Sequence, residues 1–466
     1  MKKIYLAAIC GTGMASLAAM LKTKGYEVSG VDENVYPPMS TFLEEQGIPV
    51  FHGFDAAHLA NKPDLVVIGN ALSRGNPEVE FVLNEKIPYI SLPAALNQFF
   101  IRDKFACVVT GTHGKTTTSS MLAWILEYAG MQPSFFIGGM PENFSGGFQI
   151  GDGEHIVLEG DEYDSAFFDK RAKFLHYQPR ILIINNIEFD HADIYQSLEE
   201  IKKAFRQLIN LVPGNGGIIA NIDDPVVAEI VQNIYTNVQT IGVGSSAAWQ
   251  AVNIRYGGEE SFFDVRYNGQ FVASISISQA GEFNIRNALA AFVAASKLGI
   301  SAEVITAALL RFQGVKRRLT LKAKIGAMQI LDDFAHHATA IKQTLCGVRN
   351  RFPDKKIWAI FEPRSASAKR KVFEKQYFDA FDDADEVIIA PLHRPDKVPV
   401  DERLSVETIV QKLNEKNIPS RILPPGNEML EFLSKNKSKN DIFLFMSNGN
   451  FADMPNILAE RLKIDQ

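Results

Sequence analysis

Cysteine is scarce in this chain: Cys10, Cys107 and Cys346 are the three thiols in 466 residues. They lie far apart, without the paired spacing that a metal finger or a disulfide framework requires, so a reducing, cytoplasmic setting is expected. The chain also lacks any run approaching the ~20 apolar residues a membrane span needs. Charge of one sign is not abundant either. A formal net charge of −6 argues against a general nucleic-acid or membrane-surface role. The amino terminus, MKKIYLAAIC, imitates a secretion signal with two lysines and a short apolar run. Gly11 and Gly13 break that run, and no small-residue cleavage site follows a full apolar segment. The sequence has no internal repeat and no low-complexity tract, although Lys, Asn and Ser crowd residues 434–440 as in a solvated loop.

What is there is a globular composition, 46% hydrophobic and 22% charged, in a chain too long for one core. Roughly three domains are expected. The stretch FACVVTGTHGKTTT (105–118) carries the most information. An apolar strand leads into a glycine-punctuated loop and then into Lys and Thr at a helix start, where backbone N–H groups and the helix dipole cradle an anion. Gly111 and Gly114 let the backbone approach a triphosphate, Lys115 reaches its terminal phosphates, and Thr116 offers a hydroxyl to Mg²⁺. Val109 stands where the generic phosphate-loop pattern has its first glycine, so that pattern is not met in full. The loop still points to a nucleoside triphosphate.

Residues 3–9 read as a buried strand, followed by Gly11-Thr12-Gly13, a helix over 14–24 capped near Gly25, and a strand from 26 to 30 that leads to Asp32. This βαβ start has Ser16 at the third glycine position of a dinucleotide fingerprint. Asp32 lies 19 residues beyond Gly13, near the position that contacts a ribose hydroxyl. The pattern alone leaves NAD, a nucleotide sugar and a plain tight turn open. Runs at 64–68 and 88–90 complete a unit of about 100 residues. A second unit starts at Phe105, with strands over 156–159 and 181–186 and helices over 117–129 and 197–211. Alternating residues near 250–278 predict antiparallel β-structure before a helix over 284–297. A third unit runs from about 319, with strands near 328–331, 357–361, 386–390 and 442–446. Alternating strands and helices predict largely parallel sheets in all three units.

Further clusters follow the phosphate loop. Glu159 ends one apolar strand, and Asp190 and His191 follow another, where α/β sheets place their ligands. Together with Lys115 and Thr116 they read as a divalent metal site beside a triphosphate. The segments TGTHGKTTT (110–118), EGDEYD (159–164), NNIEFDHADIY (185–195), GEFNIRNALAA (281–291), GVKRRL (314–319) and DDFAHHATA (332–340) resemble the Mur ligases, the ATP-dependent amide-forming enzymes of peptidoglycan assembly. The resemblance covers essentially the whole chain.

It implies an α/β fold of three domains. These are a Rossmann-like UDP-sugar domain over 1–104, a central phosphate-loop ATPase domain over 105–317 and a Rossmann-like, peptide-binding domain over 318–466. ATP and Mg²⁺ are the implied cofactors. ATP contacts are implied for Gly111, Thr112, His113, Gly114, Lys115, Thr116, Thr117, Asn284, Asn287, Arg318 and Asp333, and metal contacts for Thr116, Glu159 and His191. Gly11, Thr12, Gly13, Met14, Asp32 and Asn70 would hold the UDP-sugar. Lys115 and His191 would act in catalysis with Asp333 and His336. His336, His337 and Asp333 are the candidates for taking the amine proton.

Within the family, the likeness is to the branch that acts on UDP-N-acetylmuramate. One member of that branch adds L-alanine. Another, in peptidoglycan recycling, joins the murein tripeptide L-alanyl-γ-D-glutamyl-meso-diaminopimelate. Segments 32–48, 70–80, 161–180, 361–370 and 446–451 resemble the tripeptide-joining member, and the FDKRAKF stretch is missing from the shorter loop of the alanine-adding one. Arg364, Lys369 and Arg370 are candidate anchors for the peptide carboxylates, with a solvated basic face as the other reading. Lys170, Arg171 and Lys173 are divided in the same way. Ala338 stands where the family's His-His-Pro has proline. A monomer or weak homodimer without nucleic-acid or membrane partners is expected.

Overall fold

The computed structural model describes residues 2–257 and 260–464. The expected units 1–104 and 318–466 and the stretch 250–278 extend beyond these at Met1, Asp465, Gln466, Gly258 and Glu259, which lie outside the described residues. Three sheets organise the described residues, with a short two-stranded hairpin inserted between two strands of the central one.

The first sheet has five described strands in the order Val50–His52, Glu27–Asp32, Lys3–Ala7, Leu65–Ile68 and Tyr89–Ser91. Every pairing in it is parallel. The chain leaves Lys3–Ala7 in one direction and returns on the other side at Leu65–Ile68. The crevice beyond those two strand ends is therefore a topological switch point, where open α/β sheets bind ligands. Gly11 and Asn70 follow these two strands directly. The first helix, Thr12–Thr23, ends at Lys24, and Gly25 takes φ +87° just beyond it. A left-handed residue there suits glycine, which has no Cβ to clash.

The central sheet has ten described strands. Phe105–Thr110 lies between Ile181–Ile184 and His155–Glu159, parallel to both. All four residues of Ile181–Ile184 are buried, as expected for an interior parallel strand covered on both faces. Trp249–Gly257, Glu260–Tyr267 and Gln270–Ile277 pair antiparallel at one end of this sheet, and Phe148–Gln149 adds an antiparallel edge at the other. The helix Glu282–Lys297 is buried along nearly its whole length by the Ala-rich run 288–295. Small side chains let it approach the phosphate-loop helix Lys115–Tyr128 closely.

In the third sheet, Met328–Asp333, Ile442–Met446, Ile357–Phe361, Glu386–Ile389 and Ser420–Ile422 are parallel, and Thr320–Ile325 pairs antiparallel at the edge. The Lys/Asn/Ser-rich segment begins inside the helix Asn427–Asn436, whose Met429, Leu430 and Leu433 are buried. Those apolar residues continue the helix into a segment whose composition alone reads as loop.

Candidate active site

Lys115 stands where three parallel strands end side by side. The loop after Phe105–Thr110 turns at Gly111 and Gly114, with φ of +135° and +82°. Both glycines are required by space as well as by backbone. A Cβ on Gly111 would lie 3.0 Å from the Asn186 backbone, and one on Gly114 would lie 2.4 Å from Asn287 Oδ1. The Asn186 side chain accepts from His113 N at 2.7 Å and donates back to the His113 carbonyl at 3.1 Å, which fixes the loop to the neighbouring strand end.

A cleft of about 1460 Å³ opens over these strand ends. Gly13 of the first sheet lines it with Thr112, His113, Gly114, Lys115, Thr116, Thr117, Glu159, His191, Asn284 and Asn287 of the central unit. Arg318, Asp333 and His336 line it from the third. Helix spacing carries Asn284 and Asn287 to the same side. Asn287 Nδ2 donates to Asn284 Oδ1 at 3.2 Å, while its Oδ1 presses on Gly114.

The most heavily charged feature is a buried chain of three side chains. Lys115 Nζ donates to both oxygens of Glu162, at 3.1 and 2.9 Å, and to the carbonyls of Gly111 and Thr112. His191 Nε2 lies 3.0 Å from Glu162 Oε1. Burial opposes charge on all three, yet the partners outweigh it. Lys115 is raised by the Glu162 and Asp161 charges, Glu162 is lowered by Lys115 and by its His191 hydrogen bond, and His191 is raised by Glu162 and Asp190. Opposite charges within a few ångströms have this effect in a weakly solvated site. His191 has a left-handed backbone, φ +54°, held by hydrogen bonds from its N–H to Asp190 Oδ1 and Ser367 Oγ. Strained backbone of this kind concentrates at functional sites.

Thr116 Oγ1 donates to Glu159 Oε1 at 2.8 Å, and Gly138 N donates to Glu159 Oε2 at 2.7 Å. Two cis ligands of octahedral Mg²⁺ at its usual bond lengths sit about 2.9 Å apart. The hydroxyl–carboxylate pair therefore fits that ion in both chemistry and spacing. His191 faces Glu162 rather than Glu159.

The third unit joins through a strained connection in which Gly314, Arg317 and Leu319 all have positive φ. Asp333 Oδ2 accepts from Leu319 N at 2.7 Å, and Oδ1 accepts from Ala335 N and Thr344 Oγ1. Both oxygens are thus engaged in fixing this connection. Arg317 donates to Asp332 and to the carbonyls of Ser447 and Gly449, while Arg318 lies 5.0 Å above the Phe334 ring. His336 Nδ1 lies 2.9 Å from the Phe334 carbonyl and so carries the proton there, leaving Nε2 as its acceptor. Burial pushes His336 and His337 down to about 4, so both rings are neutral at pH 7.

Toward the first sheet, Gly11 caps the helix on which Thr12, Gly13 and Met14 sit, and Met14 is buried. Asp32 accepts from Cys10 N and Asn34 N, so it braces its own turn. Asn70 donates to Asp164 on the hairpin formed by Asp164–Ala166 and Asp169–Ala172. In that segment Lys170 pairs with Asp164 and Arg171 with Asp169, whereas Lys173 pairs with Asp161 and lines the cleft. From 361–370 the cleft takes Ser365, Ala366 and Ser367. Arg364 packs against Gly449 near Glu362, Lys369 is buried, and Arg370 is paired with Glu402.

Sequence reasoning passes over Glu162 and Glu188. Glu162 lies inside the EGDEYD run, but the strand stops at Glu159 and a turn brings Glu162 back onto Lys115, a fold-back no periodicity reports. Glu188 N donates to Thr112 Oγ1, and its carboxylate faces His113 and His337.

Comparison with known proteins gives a consistent picture. The family models "Mur ligase family, catalytic domain", "Mur ligase middle domain" and "Mur ligase, glutamate ligase domain" match residues 3–104, 109–295 and 317–449. A UDP-N-acetylmuramate--L-alanyl-gamma-D-glutamyl-meso-2,6-diaminoheptandioate ligase of Escherichia coli is 41% identical over 99% of this chain and 98% of its own. A UDP-N-acetylmuramate--L-alanine ligase of Desulforapulum autotrophicum is 32% identical over 98% of each. A crystal structure of a murein peptide ligase from Psychrobacter arcticus superposes with a TM-score of 0.71 at 33% identity, covering 100% of this chain and 98% of that one.

Proposed function

The chain belongs to the Mur ligase family, and from that premise we propose that it joins the lactyl carboxylate of UDP-N-acetylmuramate to the amine of L-alanyl-γ-D-glutamyl-meso-diaminopimelate, with ATP converted to ADP and phosphate. The observation that carries this reading is the convergence in one cleft of Lys115, Thr116, Glu159 and His191 with Gly13 from the first sheet and Arg318 and His336 from the third. A sugar nucleotide at the switch point, a triphosphate on the phosphate loop and an amine donor under the third unit would all meet there.

We assign 1–104 to the UDP-sugar, 105–317 to ATP and 318–466 to the peptide. Amide formation requires the carboxylate oxygen to become a leaving group, and phosphorylation by ATP provides that as an acyl phosphate. Lys115 neutralises charge on the transferring phosphoryl group and holds it in line. Thr116 would hold the Mg²⁺ that accompanies the nucleotide, and Glu159 and His191 a second ion; such cations when bound offset repulsion between the anionic nucleophile and the phosphate. Asn284 and Asn287 flank the phosphate loop and form the adenine side, and Arg318 approaches the phosphates from the hinge. His336 Nε2, on a ring that burial holds at about 4, is the open acceptor for the proton that the amine nitrogen releases as the C–N bond forms, because Asp333 has both oxygens committed to backbone and hydroxyl donors. Closure of the third unit over the cleft shields the acyl phosphate from water.

The donor is read as the tripeptide on two grounds. Identity is 41% with a relative named for that peptide and 32% with one named for L-alanine. In addition, Lys173, in the segment that resembles the tripeptide-joining member, presents a cation to the cleft beside Tyr163. Phosphate release measured with each donor in turn tests the assignment. A cytoplasmic role in peptidoglycan recycling follows from this reading.

A further inference from the structure

We propose that His113, Glu188 and His337 form a separate metal site, of the zinc class, that bridges the central and third units at the side of the cleft. One nitrogen of each histidine and a carboxylate oxygen of Glu188 all lie within 4.8 Å of one another. His113 Nε2 is 3.5 Å and His337 Nδ1 is 3.9 Å from Glu188 Oε2. In a tetrahedral zinc site, ligand atoms stand about 3.3 Å apart, given bonds of about 2.0–2.1 Å. Modest ring rotations close that difference.

The second ground is what these atoms lack. Among the described residues, His113 Nε2 and both ring nitrogens of His337 have no hydrogen-bond partner, and His337 is only 2% exposed. Buried polar atoms without partners are costly, and a shared cation would satisfy one on each ring. Two imidazoles and one carboxylate suit zinc-class ions rather than Mg²⁺, which prefers oxygen ligands throughout. None of the three belongs to the Thr116, Glu159 and His191 set.

The ligands are also held in place by the groups behind them. His113 is fixed through its backbone to the Asn186 amide. Thr339 Oγ1 donates to Glu188 Oε2 at 2.7 Å, orienting the carboxylate. His337 caps the helix Ala338–Arg351, with its ring against His113 and Phe373, each centroid 5.3 Å away. Such outer contacts set ligand orientation in metal sites. Because His113 and Glu188 come from one unit and His337 from another, an ion here would fasten the third unit to the phosphate loop.

The test uses chelator-treated full-length protein titrated with Co²⁺ as a spectroscopic stand-in for zinc. Intense visible d–d absorption should grow to saturation at one equivalent, be displaced by Zn²⁺ and resist excess Mg²⁺. Folded His337→Gln or Glu188→Gln protein, checked by circular dichroism, should lose these bands, and His191→Ala should keep them. Bands that persist in both folded variants, vanish in His191→Ala or never saturate in the wild type would overturn the assignment.

Discussion

Replacing Glu162 with Gln removes one charge from the buried chain while keeping its shape. Lys115 Nζ stands 2.9 and 3.1 Å from the carboxylate oxygens and His191 Nε2 stands 3.0 Å away, with the Glu162 side chain 4% exposed. At an effective dielectric of about 20, unit charges that close attract by about 6 kcal/mol. Desolvation offsets much of this, and breaking a buried pair typically costs about 3–5 kcal/mol. Lys115 keeps the Gly111 and Thr112 carbonyls and the Asp161 charge, which places the loss near the lower end, about 3 kcal/mol. In a unit of about 200 residues that lowers Tm by about 6–12 °C.

The pH dependence follows from the signs of the shifts. Glu162 lies below its ordinary 4.5, so its contribution is complete above 4.5 and is lost as pH falls through the depressed value. His191 lies above its ordinary 6.5, so its contribution is complete below 6.5 and is lost as pH rises through the raised value. The difference in Tm between wild type and variant should therefore be largest between pH 4.5 and 6.5. His191 must be neutral to ligate a cation, and the Glu162 charge favours its protonated form, so the acid limb of the Mg²⁺-dependent rate should lie lower in Glu162→Gln than in the wild type. Calorimetric scans across this range and a pH–rate profile check both points. An unchanged Tm together with an unmoved acid limb would refute the reasoning.

Three further outcomes are expected. Lys115→Ala should lower turnover by at least about a hundredfold, the scale of losing one charge-stabilising group, while calorimetry shows UDP-N-acetylmuramate binding nearly intact; a near-normal rate would remove Lys115 from the reaction. Gly114→Ala puts a Cβ 2.4 Å from Asn287 Oδ1 at φ +82° and should abolish binding of an ATP analogue. Gly130→Ala, with φ +75° and open space around it, should bind normally, and equal losses in the two would mean that backbone strain alone is responsible. His336→Gln should slow amide formation in single turnover while leaving ATP-dependent acyl phosphate formation in place, as read by isotope exchange; loss of both steps would assign His336 to structure.

The parts of this molecule legible in the sequence are those fixed by local physics. Gly111, Gly114 and Lys115 mark a phosphate loop because backbone space and anion charge demand those residue types at that junction. The buried parallel strands announce themselves as unbroken apolar runs, as in Ile181–Ile184. The strand Val50–His52 and the hairpin around 164–172 escape notice because they are short, and in the hairpin charged residues pair across the turn. Side-chain partnerships are the least legible layer. Asp32 has the spacing of a ribose ligand and Asp333 the setting of an ATP contact, yet both hold backbone N–H groups. Glu162 and Glu188 find their partners only when segments distant in sequence fold back, which leaves no trace in spacing.

The most direct measurement is phosphate release by the wild-type protein with UDP-N-acetylmuramate, ATP and Mg²⁺, comparing the tripeptide L-alanyl-γ-D-glutamyl-meso-diaminopimelate with L-alanine at matched concentrations. The tripeptide should support rapid, donor-dependent release and yield the UDP-linked tripeptide, with L-alanine, which lacks the distal carboxylates and the contacts they would make, a poor donor. Equal or better turnover with L-alanine would contradict the assignment and place the chain with the alanine-adding members of its family.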